Sequence, residues 1–217
     1  MAGKNGIKDK FPDVISLLRD EGSPKRRSAA KKLRKLGDSR ACSALLDALS
    51  NEISDERTWE TQYHMVMALG ECGCHKALPL IDELATRPFY HTTVLIAIGD
   101  ALVRLRVQFQ DDPAPILDLL SHTGRYNPEL LQGAMRAVAM LRQRFDQNVV
   151  EQLIQNVIEL DSDEVMFWTA AACPAWNWRS VRIQEFLRMC LARAPWESMR
   201  HTAAAALEGK FVAWKQL

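Results

Sequence analysis

The apolar positions of this chain recur with a period of 36 residues. One series consists of Leu33, Leu69, Leu105 and Leu141, and a second consists of Leu45, Ile81, Leu117 and Leu153. Around both series, apolar residues follow one another at intervals of three and four, which is typical of helices that bury one face. A fixed period of this length predicts an array of helical pairs, each packed on its neighbours.

The first pair has the clearest boundaries. Its first helix is predicted over residues 24–36, with Ser23 able to cap its start and Gly37 placed to end it in the left-handed conformation. Asp38 then offers an N-cap to a second helix over residues 40–50. The pattern therefore predicts two helices joined by a short turn.

The later segments repeat this pattern with less regularity. No alternation of apolar and polar residues between hairpin turns indicates a strand. The sequence predicts an all-α fold, a right-handed α-solenoid of about five to six helical pairs with about 11 or 12 helices. We expect a single domain over 1–217, with an N-terminal capping helix in 1–22, four regular repeats in 23–162, and divergent repeats and a cap in 163–217.

Two segments carry the motif of a known repeat. The segment LRKLGDSRACSALLDAL at 33–49 resembles HEAT repeats, in the variety also found in phycobilin lyases. The matching positions are Leu36, Gly37, Asp38, Arg40 and Ala41. The segment ALGECGCHKALPLIDEL at 68–84 is a second copy, which departs from the motif at Cys74 and His75. The resemblance implies HEAT-like pairs whose second helices line a concave groove, where partners of such proteins commonly bind.

The composition is ordinary for a soluble globular protein, with 47% apolar and 25% charged residues. The net charge of +1 conceals an uneven distribution, because residues 1–40 carry +7, residues 41–175 carry −10 and residues 176–217 carry +4. Residues 1–10 do not resemble a signal peptide, and no apolar run is long enough to cross a bilayer. We therefore expect a cytoplasmic protein without a membrane partner.

The cysteines do not have the spacing of a disulfide framework. They are five in number, an odd count, and their positions are Cys42, Cys72, Cys74, Cys173 and Cys190. We expect reduced thiols. The run of residues 72–75 looks like a fragment of a zinc site, but a second Cys/His pair at useful spacing is missing. No metal and no cofactor are predicted.

The candidate binding residues are the positions of the second helices that face away from the apolar stripe. They are Ser43, Asp47, Asp82, Glu83, Asp118, Glu151, Gln155, Arg182 and Arg188. Asp82 and Asp118 are one repeat apart, as are Asp47 and Glu83. They predict an acidic ladder along the groove that would bind another protein with a basic or mixed-charge surface. The alternative is an ordinary solvated helix surface.

The tryptophans of the C-terminal quarter suggest a second candidate surface. Trp168, Trp176 and Trp178 lie within 11 residues, and Trp196 and Trp214 follow. Such a patch could stack on bases, as in the HEAT-like alkylpurine DNA glycosylases, with Asp161 or Asp163 as the catalytic carboxylate. The alternative is core packing, the commoner role of large aromatic side chains. The acidic centre of the chain also argues against nucleic acid as a partner, because phosphate contacts need lysine and arginine.

A basic run falls on the first helix of the first pair. It consists of Lys25, Arg26, Arg27, Lys31, Lys32, Arg34 and Lys35. This run could dock an acidic partner, RNA or an anionic surface, or it could be a solvated helix face.

The sequence favours a function in binding rather than in catalysis. Nucleotide-loop, dinucleotide, zinc-protease and serine-hydrolase motifs are missing from it. The prediction is a non-catalytic protein-interaction module, such as an adaptor, an assembly factor or an inhibitor of the immunity type. The alternatives are a nucleic-acid-binding HEAT protein and a bilin lyase-like chaperone.

Overall fold

The structure of the protein, a computed structural model, describes residues 11–122 and 124–213. These residues form twelve α-helices: α1 (Phe11–Ser16), α2 (Ser23–Leu36), α3 (Cys42–Glu52), α4 (Trp59–Glu71), α5 (Leu78–Leu84), α6 (Thr93–Arg106), α7 (Ala114–Ser121), α8 (Pro128–Leu141), α9 (Gln147–Leu160), α10 (Asp163–Ala172), α11 (Val181–Arg193) and α12 (Glu197–Leu207). Five 3-10 turns adjoin them: Leu17–Arg19, Ser39–Ala41, Glu56–Thr58, His75–Ala77 and Cys173–Ala175.

Helix follows helix along the chain, and the described residues contain no β-strand. In chain order the helices form five pairs, from α2 with α3 to α10 with α11, with α1 before them and α12 after them. The prediction of an all-α helical-repeat fold is confirmed. In residues 11–122 and 124–213, no helix is long and apolar enough to cross a membrane.

Backbone contacts divide the chain into two compact units, one ending at Leu105 and the other beginning at Arg106. In the first unit, α2 packs on α4 and α4 packs on α6. The second approach is close because Gly70 has no side chain, and a Cβ atom there would lie 3.0 Å from the Cα atom of Ala101. In the second unit, α8, α10 and α12 pack in one layer, and α7, α9 and α11 in another. The boundaries of the predicted single domain stay a prediction.

The periodic apolar positions form the core of the helical pairs. Of the eight residues in the two series, six are at most 2% exposed, and only Leu117 and Leu141 are half-buried. Burying a side chain of this size contributes about 1.5–3 kcal/mol. The period of the sequence therefore reflects an apolar position that recurs from one helical pair to the next and is buried in most of them.

The turn between α2 and α3 has the predicted cap residues, but the start of α2 does not. Gly37 ends α2 with a φ of 60°, and the Asp38 side chain accepts a hydrogen bond from the amide two residues later. Ser23 is the first residue of α2, and the structure shows no side-chain cap there. Its hydroxyl instead hydrogen-bonds with that of Thr61 on α4, at 2.7 Å. The expected cap is therefore a contact between stacked helices.

Only part of the predicted N-terminal capping helix is described. α1 and the turn Leu17–Arg19 cover residues 11–19, and Val14 and Leu18 are buried there. Residues 1–10 of this predicted segment lie outside the described residues, as does Trp214 at the other end.

The prediction of five reduced thiols is wrong for two of the cysteines. Cys42, at the start of α3, and Cys74, in the turn before α5, form a disulfide across a sequence separation of 32 residues, and their Cα atoms are 5.2 Å apart. Cys72, Cys173 and Cys190 are free and buried. Stacked repeats bring the two bonded residues together, although their spacing in the sequence resembles no disulfide framework.

The same bond gives residues 72–75 a structural role. The sulfur of Cys74 is bonded to Cys42, and Nδ1 of His75 hydrogen-bonds with the carbonyl oxygen of Leu105 at 2.8 Å. In the part of the chain that the structure describes, no group of three or more His, Cys, Asp or Glu side chains could hold a metal ion.

Candidate functional site

The exposed side of α3 and α5 carries the predicted binding residues of the first unit. Ser43 and Asp47 lie on α3, Asp82 and Glu83 lie on α5, and all four are exposed. Both helices bury their apolar residues on the other side, because a period of 3.6 residues separates the two faces. We call these four residues the acidic face.

The carboxylates of the acidic face differ in their surroundings. Glu83 forms an ion pair with Arg87, four residues further along the chain. Asp82 also takes part in an interaction within the protein. Asp47 borders a hollow of about 370 Å³ that Arg19 and Asn51 also line. Exposed ion pairs contribute little to stability, so these carboxylates can exchange their partners for an incoming basic group.

The predicted acidic residues of the second unit are exposed and have neighbours of their own. Oδ2 of Asp118, on α7, lies 3.4 Å from Nη1 of Arg106, and Oδ1 lies 3.7 Å from Nδ1 of His122. Glu151, on α9, accepts a hydrogen bond from Gln147 at 2.8 Å. The charge at Asp118 is thus partly compensated within the second unit.

The structure brings two of the remaining predicted residues together. Oε1 of Gln155 accepts a hydrogen bond from Nη2 of Arg182 at 2.8 Å, which joins α9 to α11. Arg182 is half-buried, whereas Arg188 is exposed and donates to Gln184 on its own helix at 3.3 Å. Arg182 therefore has a structural contact in addition to any binding role.

The basic run on α2 is largely used inside the first unit. Four of its seven members form ion pairs: Lys25–Asp20, Arg26–Glu52, Arg27–Glu60 and Arg34–Glu71. Lys31, Lys32 and Lys35 are exposed. Because Arg27 and Arg34 reach α4, their charges join stacked helices. This arrangement matches neither alternative from the sequence, since the run is neither a docking patch as a whole nor a fully solvated face.

Arg26 and Glu52 join the start of α2 to the end of α3. Nε of Arg26 donates to Oε2 of Glu52 at 2.6 Å, and Nη2 donates to Oε1 at 2.9 Å. Nη1 donates to the carbonyl oxygens of Asp20 and Glu21. The Glu52 side chain is 4% exposed, and its hydrogen bonds raise the pKa of the Arg26 guanidinium. This bidentate pair of hydrogen bonds compensates for the loss of hydration of both charges on burial.

His64, on α4, is a buried imidazole next to the positive charges of α2. It is 7% exposed, and its Nδ1 atom has no hydrogen-bond partner in the described structure. Burial lowers the pKa of His64 to about 4, and the charges of Lys31, Arg34 and Arg27 add to this effect. The ring is therefore neutral in the folded protein at neutral pH.

We expect His64 to make the fold sensitive to acid. Between about pH 6.5 and about pH 4, His64 is protonated in the unfolded chain but stays neutral in the folded protein. The free energy of unfolding therefore decreases as the pH drops through this range. With allowance for screening by solvent, the loss amounts to about 2 kcal/mol. Urea unfolding at a series of pH values will show this loss in the native protein and not in His64→Gln. Equal slopes in the two proteins would contradict it.

The tryptophans predicted to form a surface patch have different surroundings. Trp176 is 5% exposed, and its indole N–H donates to the carbonyl oxygen of Gln143 at 3.1 Å. The half-buried ring of Trp178 packs against Gly209, where a Cβ atom would lie 2.5 Å from it. The prediction of a binding surface is therefore wrong for Trp176, because its ring lies in the core and its polar atom is satisfied there.

The carboxylates proposed as catalytic neighbours of these rings are engaged elsewhere. Asp161 lies 2.7 Å from Nη1 of Arg193, and Asp163 lies 3.5 Å from Nη2 of the same guanidinium. Asp161 raises the pKa of Arg193 through this hydrogen bond. Trp168 is half-buried, with the guanidinium of Arg136 5.8 Å from the centre of its ring.

A small aromatic pocket lies in the first unit, between the start of α4 and the segment that links α5 to α6. The rings of Trp59 and His91 stack with their centres 5.1 Å apart and their planes at 28°. Tyr90 meets His91 edge-on at 4.9 Å and is 79% exposed. Together with Glu56, these side chains border a cavity of about 120 Å³. We call it the aromatic pocket.

None of these residues stands out in the sequence. Trp59 and His91 are 32 positions apart and share no motif. The one local signal is the run of three ring-bearing side chains at residues 89–91, in a segment without helical periodicity. Such a run in a loop indicates a surface cluster, but its partner on α4 appears only in the fold.

Comparison with known proteins supports the repeat assignment for one segment. A family model described as PBS lyase HEAT-like repeat matches residues 25–51. This match contains the whole of the first segment whose motif resembles HEAT repeats, residues 33–49, so that resemblance is confirmed. No curated protein matches the chain significantly.

Several solved structures are similar to this chain at low identity. An engineered protein is 17% identical with a TM-score of 0.44, covering 92% of this chain and 98% of that chain. A designed armadillo repeat protein is 18% identical with a TM-score of 0.41, covering 92% and 99%. Human deoxyhypusine hydroxylase in complex with glycerol is 16% identical with a TM-score of 0.38, covering 92% and 83%. These values are too low to carry information about function.

Proposed function

We propose that the protein is a non-catalytic protein-interaction module, of the adaptor, assembly-factor or inhibitor type. Its acidic face would bind a partner protein that has a basic or mixed-charge surface. A helical-repeat fold is consistent with an interaction scaffold. The observation that carries the proposal is the distribution of charge in the first unit. Four of the seven basic side chains of α2 are in ion pairs within this unit. Asp47, Asp82 and Glu83 are exposed on the second helices of two successive repeats, and the one ion pair described for them, Glu83 with Arg87, is also exposed.

Charge of this kind acts mainly on the encounter between proteins. Carboxylates at equivalent positions of successive repeats place negative potential along one side of the unit, which attracts basic groups before contact. Exposed side chains at the rim of an interface change the association rate and its salt dependence more than the stability of the complex. The predicted residues of the second unit, including Asp118 and Glu151, form a separate candidate surface of the same type.

The test is a binding assay with defined charged probes. We expect a fluorescent lysine- and arginine-rich peptide to bind the native protein in low salt and to dissociate as salt is added. The variant Asp47→Lys/Asp82→Lys/Glu83→Lys is expected to bind at least about tenfold more weakly, because attraction becomes repulsion. Fluorescence anisotropy measures both affinities.

A matched variant separates a local effect from one of overall charge. Glu21→Lys/Glu164→Lys/Glu185→Lys changes the net charge by the same amount at exposed positions outside the acidic face. We expect this variant to keep most of its affinity. If both variants lose affinity equally, binding depends on net charge and the proposed surface is wrong.

The same assay with short double-stranded DNA addresses the nucleic-acid alternative. That alternative rested on the tryptophans and the neighbouring aspartates, but Trp176 is in the core, and Asp161 and Asp163 pair with Arg193. Salt-dependent DNA binding stronger than peptide binding would support it and contradict our proposal. The bilin lyase-like alternative rests on the repeat variety alone.

A further inference from the structure

The aromatic pocket has the electrostatic character of a cation site. The faces of Trp59 and Tyr90 carry negative partial charge, which attracts ammonium and guanidinium groups. Glu56 adds an exposed carboxylate at the border of the cavity. Arg87 also lines the cavity, but its guanidinium is paired with Glu83, so its charge is compensated locally.

The size of the cavity limits what can enter. The cavity has a volume of only about 120 Å³. This volume suits one compact group, such as a guanidinium or a methylated ammonium. It is well below the roughly 300–1,000 Å³ of sites that enclose drug-sized molecules, so a tetrapyrrole or a nucleotide does not fit.

We propose that the aromatic pocket binds one cationic group, the guanidinium or ammonium head of an arginine or lysine side chain on the partner protein. This inference rests on the proposed function and adds a specific anchor to it. The pair Glu83–Arg87 connects the two surfaces, because Glu83 belongs to the acidic face and Arg87 lines the pocket. The acidic face attracts the basic partner, and the pocket selects one of its side chains.

The experiment uses small probes, so that it does not depend on finding the partner. The indole N–H resonance of Trp59 is assigned by comparison with Trp59→Phe, and the native protein is titrated with tetramethylammonium chloride and with N-acetylarginine amide. Sodium chloride, sodium acetate and tert-butanol serve as salt, anion and neutral controls. We expect saturable shifts of the Trp59 resonance with the two cations and none with the controls.

Two exposed substitutions test the residues without disturbing the core. We expect Glu56→Gln and Tyr90→Ala each to weaken cation binding by about fivefold, since each removes one exposed attraction. Glu21→Gln and Phe109→Ala are the matched controls, because Glu21 is exposed and the Phe109 ring is 58% exposed in the second unit. Both controls are expected to leave the affinity unchanged.

The outcomes separate this inference from the proposed function. A Trp59 shift with acetate alone would make the pocket an anion site, and an equal shift with tert-butanol would make it a merely apolar one; either result overturns the inference. The basic-peptide assay does not involve these probes. The native protein could bind the small cations while the acidic-face variant still binds the basic peptide normally. That combination would support the aromatic pocket and contradict the acidic face.

Discussion

Replacing Cys42 and Cys74 together with alanine is expected to lower the free energy of unfolding by about 4 kcal/mol. The disulfide closes a loop with a sequence separation of 32 residues. A bridge of this span removes many conformations from the unfolded chain, and this entropy is the main source of its stabilisation in the chain-entropy model. The bond also joins α3 to the turn that leads into α5, and α3 and α5 are the two helices that carry the acidic face.

Urea unfolding in the presence and absence of a reductant measures this effect. The reductant is expected to destabilise the native protein as much as the double substitution does, and to leave the double variant unchanged. The matched control is Cys72→Ala, a buried free cysteine two positions from the bridge. We expect it to cost about 1 kcal/mol, for the lost sulfur contacts alone.

Thiol titration tests the bridge directly. The native protein is expected to show three reactive thiols after unfolding without a reductant, and five after reduction. In the folded state the three should react slowly, because burial raises the pKa of Cys72 to about 11 and that of Cys190 to about 12. Five thiols in the unfolded, unreduced protein would show that the bridge is absent.

The helical-repeat fold could be predicted because its determinants are local. Positions such as Leu33, Leu69 and Leu105 recur once in each pair. Each lies on the apolar face of its helix together with the residues three and four positions away. The structure buries these three leucines. The exposure of Asp47 and Asp82 could be predicted for the same reason, because both lie opposite the apolar face of their own helices.

Contacts between repeats could not be predicted, because no local rule pairs residues about 30 positions apart. Cys42 and Cys74 meet only after two repeats have stacked, and the same is true of Trp59 and His91. An odd number of cysteines therefore suggested reduced thiols. The bridge is unusual for a reducing cytoplasm, and the predicted cytoplasmic location stays a prediction.

The basic run of α2 shows the same limit for charge. The sequence shows many positive residues on one helix but not the acidic residues of α3 and α4 that face them. Arg26 and Glu52 are 26 positions apart, and Arg34 and Glu71 are 37 apart. Net charge along a repeat protein therefore overstates the charge that is available to a partner.

Removing the carboxylate of Glu52 is expected to be the second most damaging change. Glu52→Ala should lower the free energy of unfolding by about 3 kcal/mol, because it leaves the guanidinium of Arg26 enclosed without its counter-charge. The Arg26 side chain is only 19% exposed, and two of its hydrogen bonds end on this carboxylate. Urea unfolding at neutral pH measures the loss, and Asp47→Ala, an exposed change on the same helix, should stay within about 0.5 kcal/mol of the native protein.

A double-mutant cycle tests whether the loss comes from the pair. Arg26→Met removes the guanidinium and leaves the buried carboxylate of Glu52 without a counter-charge. This single variant should therefore also be destabilised. Arg26→Met/Glu52→Leu places two apolar side chains of similar volume in the same space and is expected to recover most of the stability. If the double variant is as unstable as the sum of the two single ones, the residues do not act as a pair, and the junction of α2 and α3 depends on packing alone.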